Sequence, residues 1–127
     1  MSRSEQILKL RPEISVQKSD GVEAFQNATL RPILKLQHPL TQAILHQHSR
    51  YSKMLNAEMP KDIYHKKVLT ILRSDLALRQ MVIGTIIGLM TVEEYSSYDA
   101  NTKEYNRRII TMQAKRYADT QYPNDIG

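Results

Sequence analysis

Residues 25–48, FQNATLRPILKLQHPLTQAILHQH, decide how the chain is read. Leu30, Ile33, Leu34, Gln37, Leu40, Ile44 and His48 recur every three or four positions, and Tyr51 and Leu55 continue the pattern. That period lines one face of an α-helix. Pro32 and Pro39 interrupt it, each removing a backbone donor and disfavouring helical geometry in the residue before it. The stretch therefore predicts a helix over about 24–57, bent or broken near Pro32 and Pro39. Its other face carries Arg31, Lys35, His38, Gln42, His46, Arg50 and Lys53 at three- and four-residue spacing.

The histidines of this stretch raise the question of a metal or catalytic centre. On a helix His46 and His48 point about 200° apart, and His38 and His46 are separated by about 12 Å along the axis. Zinc–nitrogen bonds of about 2 Å span neither arrangement. His65 falls on a different segment. Asp62-x-x-His65 comes nearest to the Glu-x-x-His pairs of di-iron bundles, but Asp62 in a first helical turn already complements the helix dipole. The histidines read as part of a polar face, with no metal and no cofactor expected.

Working outward, AEMPKD at 57–62 is a turn, with Pro60 placed to open a second helix over about 61–87. Tyr64, Val68, Ile71, Leu72, Leu76, Ile83, Ile86 and Ile87 give that helix a broad apolar face. Gly84 and Gly88, four apart, would admit a second backbone, and Gly88 suits a left-handed helix end. In GLMTVEEY at 88–95, Thr91 and Glu94 have capping-box spacing. A third helix is expected over about 92–119, with a stripe of Tyr95, Tyr98, Thr102, Tyr105, Ile109 and Met112. No segment alternates as a strand does. The expected fold is all-α: an elongated bundle of three long helices, each of about 27 residues and about 40 Å. Residues 1–22 read as a flexible N-terminal arm with a short helical turn near Ile7 to Leu10. Residues 23–119 form a single helical domain, and 120–127 a frayed tail.

Composition narrows the classes. At 127 residues the chain can bury a core without staples. It has no cysteine, which excludes disulfides, thiolate zinc sites and cysteine nucleophiles. The longest apolar run, MVIGTIIGLM at 81–90, is far short of a membrane span, and the N-terminus lacks a signal-peptide core. A soluble cytoplasmic protein with no membrane partner is expected. The net charge is +5, unevenly placed: residues 31–79 hold nine Lys/Arg against three Asp/Glu, and residues 91–127 five against six. Such asymmetry can attract acidic partners or nucleic acid. No aromatic residue interleaves the basic stripe to stack on bases.

The candidate cluster is polar. Tyr95, Tyr98 and Tyr105 bring three hydroxyls toward one stripe, each needing a partner where buried; they read first as packing at a bundle edge with wet hydroxyls, and second as lining an interface or a small ligand pocket. Asp75 falls within the apolar period of helix two and Arg108 within that of helix three. About the turn near 89–90 these two charges are offset by about one helical turn, so an Asp75–Arg108 pair is expected, with Arg31 the competing partner for Asp75. Ser74-Asp75 also reads as a local break, and Arg107 with Arg108 as an anion grip. No glycine-rich phosphate loop, nucleophile elbow or paired catalytic carboxylate motif occurs, so no catalytic residue is assigned.

FQNATLRPILKLQ, GLMTVEEY and NRRI at 106–109 together resemble a group of small uncharacterised bacterial helical proteins, some labelled glyoxalase, over about 25–117. That label implies a βαβββ fold with metal-binding His, Glu or Gln on strands. This chain has neither the strand pattern nor the ligand cluster, so no catalytic residue is carried over. The expected function is a non-enzymatic helical interaction module that self-associates as a homodimer, since three wide apolar stripes can leave one groove uncovered and the tyrosine stripe suits a partly wet interface. The alternative is a basic anion- or nucleic-acid-binding protein using residues 31–79, and the third reading is a small-molecule enzyme.

Overall fold

The computed structural model describes residues 2–12, 20–48 and 58–121, of which about 85% are helical with no strand among them. The chain runs through α1 (Arg3–Leu10), α2 (Gly21–Phe25), a π-helical turn (Gln26–Leu30), α3 (Arg31–Gln47), α4 (Lys61–Ser74), α5 (Leu76–Ile87), α6 (Val92–Asp99) and α7 (Thr102–Gln121). Segments α2, π turn and α3 continue without a break, so the described residues make six rods. The all-α expectation is met; the three long helices are not. The expected second helix breaks at Asp75 and the expected third at Ala100 and Asn101.

Each break has a local cause. Asp75 leaves the helical region (φ −87°, ψ 97°), and its side chain accepts from the Leu78 amide at 3.1 Å. A short carboxylate there satisfies an amide that a new helix start would otherwise strand, which is why Asp favours caps over helix interiors. At the other break, Asn101 donates its amide to the Tyr98 carbonyl at 3.0 Å and Thr102 its hydroxyl to the Asp99 carbonyl at 3.2 Å.

Just before the first proline the helix carries a π turn, and it runs on unbroken through Pro39. Arg31 donates its amide to the Gln26 carbonyl, the five-residue step of a π-helix, just before Pro32, which has no amide to give. Pro39 sits inside α3, and the Thr41 hydroxyl donates to the Gln37 and His38 carbonyls at 3.2 and 3.1 Å. Within the expected 24–57 helix, residues 49–57 lie outside the described residues, as do 122–127 of the expected tail.

The most extensive packing is between α4 and α7, which run antiparallel: Lys61 meets Asp119 at 2.8 Å, and Arg73 lies beside the start of α7. α3 packs on both α5 and α7. The core joins Leu30, Ile33, Leu34 and Leu45 to Val68, Leu72, Leu78, Val82, Ile86, Ile109, Ile110 and Ala114. Inside it, Tyr117 donates to the Thr41 carbonyl, and Gln113 donates to the Thr41 hydroxyl at 3.0 Å.

The junction between α5 and α6 follows the capping-box expectation: the Glu94 amide reaches Thr91 Oγ1 at 3.1 Å, and the Thr91 amide reaches Glu94 Oε1 at 2.8 Å. Gly88 is not left-handed (φ −60°), and no second backbone approaches Gly84. The carbonyls just beyond the end of α5 are closed by guanidinium groups instead. Arg3 donates to the Met90 and Gly88 carbonyls at 2.8 and 3.1 Å, and Arg11 to the Leu89 carbonyl at 2.8 Å. Cations are favourable at a helix C-terminus, where carbonyls lack partners. Arg11 also grips Glu94, which accepts from Thr29 at 3.1 Å as well. Burial alone would raise the Glu94 carboxyl, but the hydrogen bonds from Arg11 and Thr91 outweigh it and hold the group below its ordinary value. Residues 3–10, expected as an arm with one short turn, are therefore a fastened helix; residues 13–19 of that arm lie outside the described residues.

Candidate functional site

The two helix breaks meet. Arg73 from the end of α4, Leu76 and Arg79 from the start of α5, and Asn101, Lys103, Glu104, Arg107 and Ile110 from the start of α7 line one cleft of about 430 Å3. Lys103, Arg107 and Ile110 come to one side of α7 by the three- and four-residue helical step. Ile110 is fully buried and Leu76 is 66% exposed, so the cleft has an apolar floor and an apolar lip.

Its charge is unbalanced. Four cations face one carboxylate, and that carboxylate is already committed. Glu104 accepts from Arg107 at 2.6 and 3.1 Å and from Arg108 at 2.9 Å. These hydrogen bonds, Arg107 first and then Arg108, draw the Glu104 carboxyl down to about 2. Among the described residues, Arg73, Arg79 and Lys103 have no carboxylate partner and no hydrogen-bond acceptor. The first amides of α7 also lack intrahelical acceptors, adding partial positive charge at the same end. Such an arrangement can hold an anion through charge-assisted hydrogen bonds.

The sequence candidates divide. Tyr95, Tyr98 and Tyr105 do come together, with Phe25, in a ladder: ring centroids are 4.5 Å apart for Phe25–Tyr105, 6.3 Å for Tyr98–Tyr105 and 6.0 Å for Tyr95–Tyr98. Tyr98 and Tyr105 are 4% and 6% exposed, however, and only Tyr95 stays open at 46%. Tyr98 donates to Asn106 Oδ1, and burial pushes its phenol above the ordinary value. Tyr98 and Tyr105 belong to the core, with Phe25 packed against it and Tyr95 at its open end. Asp75 and Arg108 are not joined to each other: Asp75 caps α5, while Arg108 holds Glu104 and donates to Gln26 Oε1 at 2.7 Å. The broken helix redirects Asp75 to the Leu78 amide, and the π turn presents Gln26 to Arg108. Arg31 lies on neither, but beside Arg116 across α7.

Of the histidines, His38 shares a hydrogen bond with Thr120 Oγ1 at 2.7 Å and lies 5.9 Å from the Tyr117 ring, and burial first, then Arg116, depresses its pKa. Among the described residues no group of three His, Cys, Asp or Glu could hold a metal ion, and no helix is long and apolar enough to cross a membrane. Arg73, Arg79 and Lys103 escaped the sequence reading because their convergence depends on both breaks. The local signals were cap-forming residues, Asp75 and Asn101, each flanked by cations. No family model matches the chain, and neither a curated protein nor a solved structure does.

Proposed function

We propose that this chain is a non-enzymatic helical binding module that takes an anionic group in the cleft between α5 and α7. One observation carries this reading: three cations without a carboxylate partner among the described residues converge on a cleft whose sole carboxylate is already bound by Arg107 and Arg108. Holding like charges together weakens the compact state, and an entering anion relieves that repulsion. The planar forks of Arg73 and Arg79 suit bidentate oxyanions, and Leu76 at the lip suits a ligand with an apolar portion. Self-association through a tyrosine stripe has less support, since Tyr98 and Tyr105 lie inside the bundle. A nucleic-acid track is also less supported, because Arg31 sits across α7 from the cleft and does not extend it.

The test is a thermal-shift comparison of sodium pyrophosphate with sodium chloride at matched ionic strength, on the native chain and on an Arg73→Gln/Arg79→Gln variant. Both arginines line the cleft without a described hydrogen bond, so the variant should fold. Stabilisation by pyrophosphate in the native chain, reduced in the variant, is the expected result. Equal stabilisation of both proteins would remove the assignment.

A further inference from the structure

A second cleft, of about 440 Å3, opens on the opposite side of α7. It is lined by Arg31 and Leu34 of α3 and by Met112, Lys115, Arg116, Asp119 and Thr120 of α7. Ile110 and Met112 are two residues apart and so point about 200° from one another on a helix, which places the two clefts back to back rather than along one groove. Leu34 is fully buried and forms the floor.

The charges again fail to balance. Asp119 is the cleft's one carboxylate, and it already bonds Lys61 at 2.8 Å and Lys115 at 3.1 Å. Among the described residues the guanidiniums of Arg31 and Arg116 have neither a carboxylate partner nor a hydrogen-bond acceptor. Arg116 is half-buried, so it has lost part of its hydration without gaining a hydrogen-bond acceptor. Burial first, then the charge of Arg31, push the Arg116 guanidinium below its ordinary value. Both effects disfavour the cation where it stands, and the charge of Asp119, already bonded to Lys61 and Lys115, offsets them only in part.

We propose that the Arg31–Arg116 cleft is a second anion site, independent of the first, and that its ligand is the terminal phosphate of a phosphate-bearing molecule. Two guanidiniums without acceptors present paired N–H donors, the geometry that a tetrahedral dianion satisfies on two edges at once. Lys115, shared with Asp119, stands beside them as a point charge. The cleft is open, so the phosphate enters and the rest of the molecule stays in solvent. The site also carries a signature that a structural role would not. A structural arginine destabilises when neutralised, whereas Arg31 and Arg116 repel each other across this cleft, as groups retained for binding at a cost in stability do.

The probe is inorganic pyrophosphate added to the isotopically labelled full chain, followed through the arginine Nε–H resonances, with sodium chloride at matched ionic strength as control. Saturable shifts of the Arg31 and Arg116 resonances with pyrophosphate, well beyond those with chloride, are expected. Arg116→Gln should weaken this site by about tenfold to a hundredfold, the loss of a charge-assisted hydrogen bond. It should also leave the melting temperature unchanged or raised. Arg73→Gln/Arg79→Gln should leave the Arg31 and Arg116 shifts intact, so failure at one cleft is separable from failure at the other. Equal shifts with chloride and pyrophosphate in the native chain would overturn the proposal without recourse to any variant. So would tighter binding of a hexaglutamate peptide than of pyrophosphate, since the cleft would then recognise acidic protein segments. A melting temperature lowered by several degrees in Arg116→Gln, with no saturable shift in the native chain, would mark Arg116 as structural and likewise overturn it.

Discussion

Replacing Arg11 with methionine should cost far more than its place just past a short N-terminal helix suggests. The Arg11 and Glu94 side chains are only 7% and 18% exposed, and the guanidinium binds Glu94 through two nitrogens while also donating to the Leu89 carbonyl at 2.8 Å. Removing one member of a buried ion pair typically costs about 3–5 kcal/mol, because the other charge is left uncompensated. Glu94 keeps donors from Thr29 and Thr91, so the lower end, about 3 kcal/mol, is expected. For a domain of this size that corresponds to a fall of about 10 °C in melting temperature. Thermal and urea unfolding of Arg11→Met, Glu94→Gln and the double variant would measure it, with the exposed Lys9→Met as control. The double variant should lose less than the sum of the singles, with a coupling above about 1 kcal/mol. The pH dependence has a definite sign. The folded Glu94 carboxyl lies below its ordinary value, so its contribution is present above the unfolded pKa and is lost as pH falls through the folded one. Arg11→Met should therefore flatten the acid limb of the stability curve. Additive losses below about 1 kcal/mol would show that α1 does not fasten the α5–α6 junction.

Further outcomes follow from the same contacts. Asp75→Ala should cost about 0.5–2 kcal/mol as a lost helix cap, and combined with Arg108→Ala it should be additive within about 0.5 kcal/mol; strong coupling in urea unfolding would reinstate a pair that the structure does not form. Tyr98→Phe removes the hydrogen bond to Asn106 and should lower stability by about 1 kcal/mol by the same assay. Chelator treatment should leave the melting temperature unchanged, and a drop of several degrees restored by zinc would point to a metal held by groups beyond the described clusters.

The helical period was legible for most of the core, because Leu30, Ile33, Leu34, Val68, Leu72 and Ile109 fall at three- and four-residue spacing and all are fully buried, whereas Leu40, Leu76 and Tyr95 of the same expected stripes are exposed. The Thr91–Glu94 box was legible too, being set within four residues. What could not be seen is non-local. Ser74-Asp75 read equally as a local break and as a charge awaiting Arg108, and only the backbone turn there decides for the break, with the carboxylate serving the next helix. Arg3 and Arg11 look like isolated cations on a polar segment; their role depends on three carbonyls more than 75 positions away. The basic cleft is missed for the same reason, since Arg73, Arg79 and Lys103 converge only after two helices have been cut in two.

Anion binding at the α5–α7 cleft is tested most directly by isothermal titration of the native chain with inorganic pyrophosphate at low salt, beside Arg73→Gln/Arg79→Gln. The native chain should show saturable heats that fade as salt rises, with two equivalents bound when the Arg31–Arg116 cleft also fills. The variant should lose the α5–α7 equivalent while keeping its circular dichroism spectrum. Indistinguishable isotherms for the two proteins, or no saturable heat from either, would contradict the assignment.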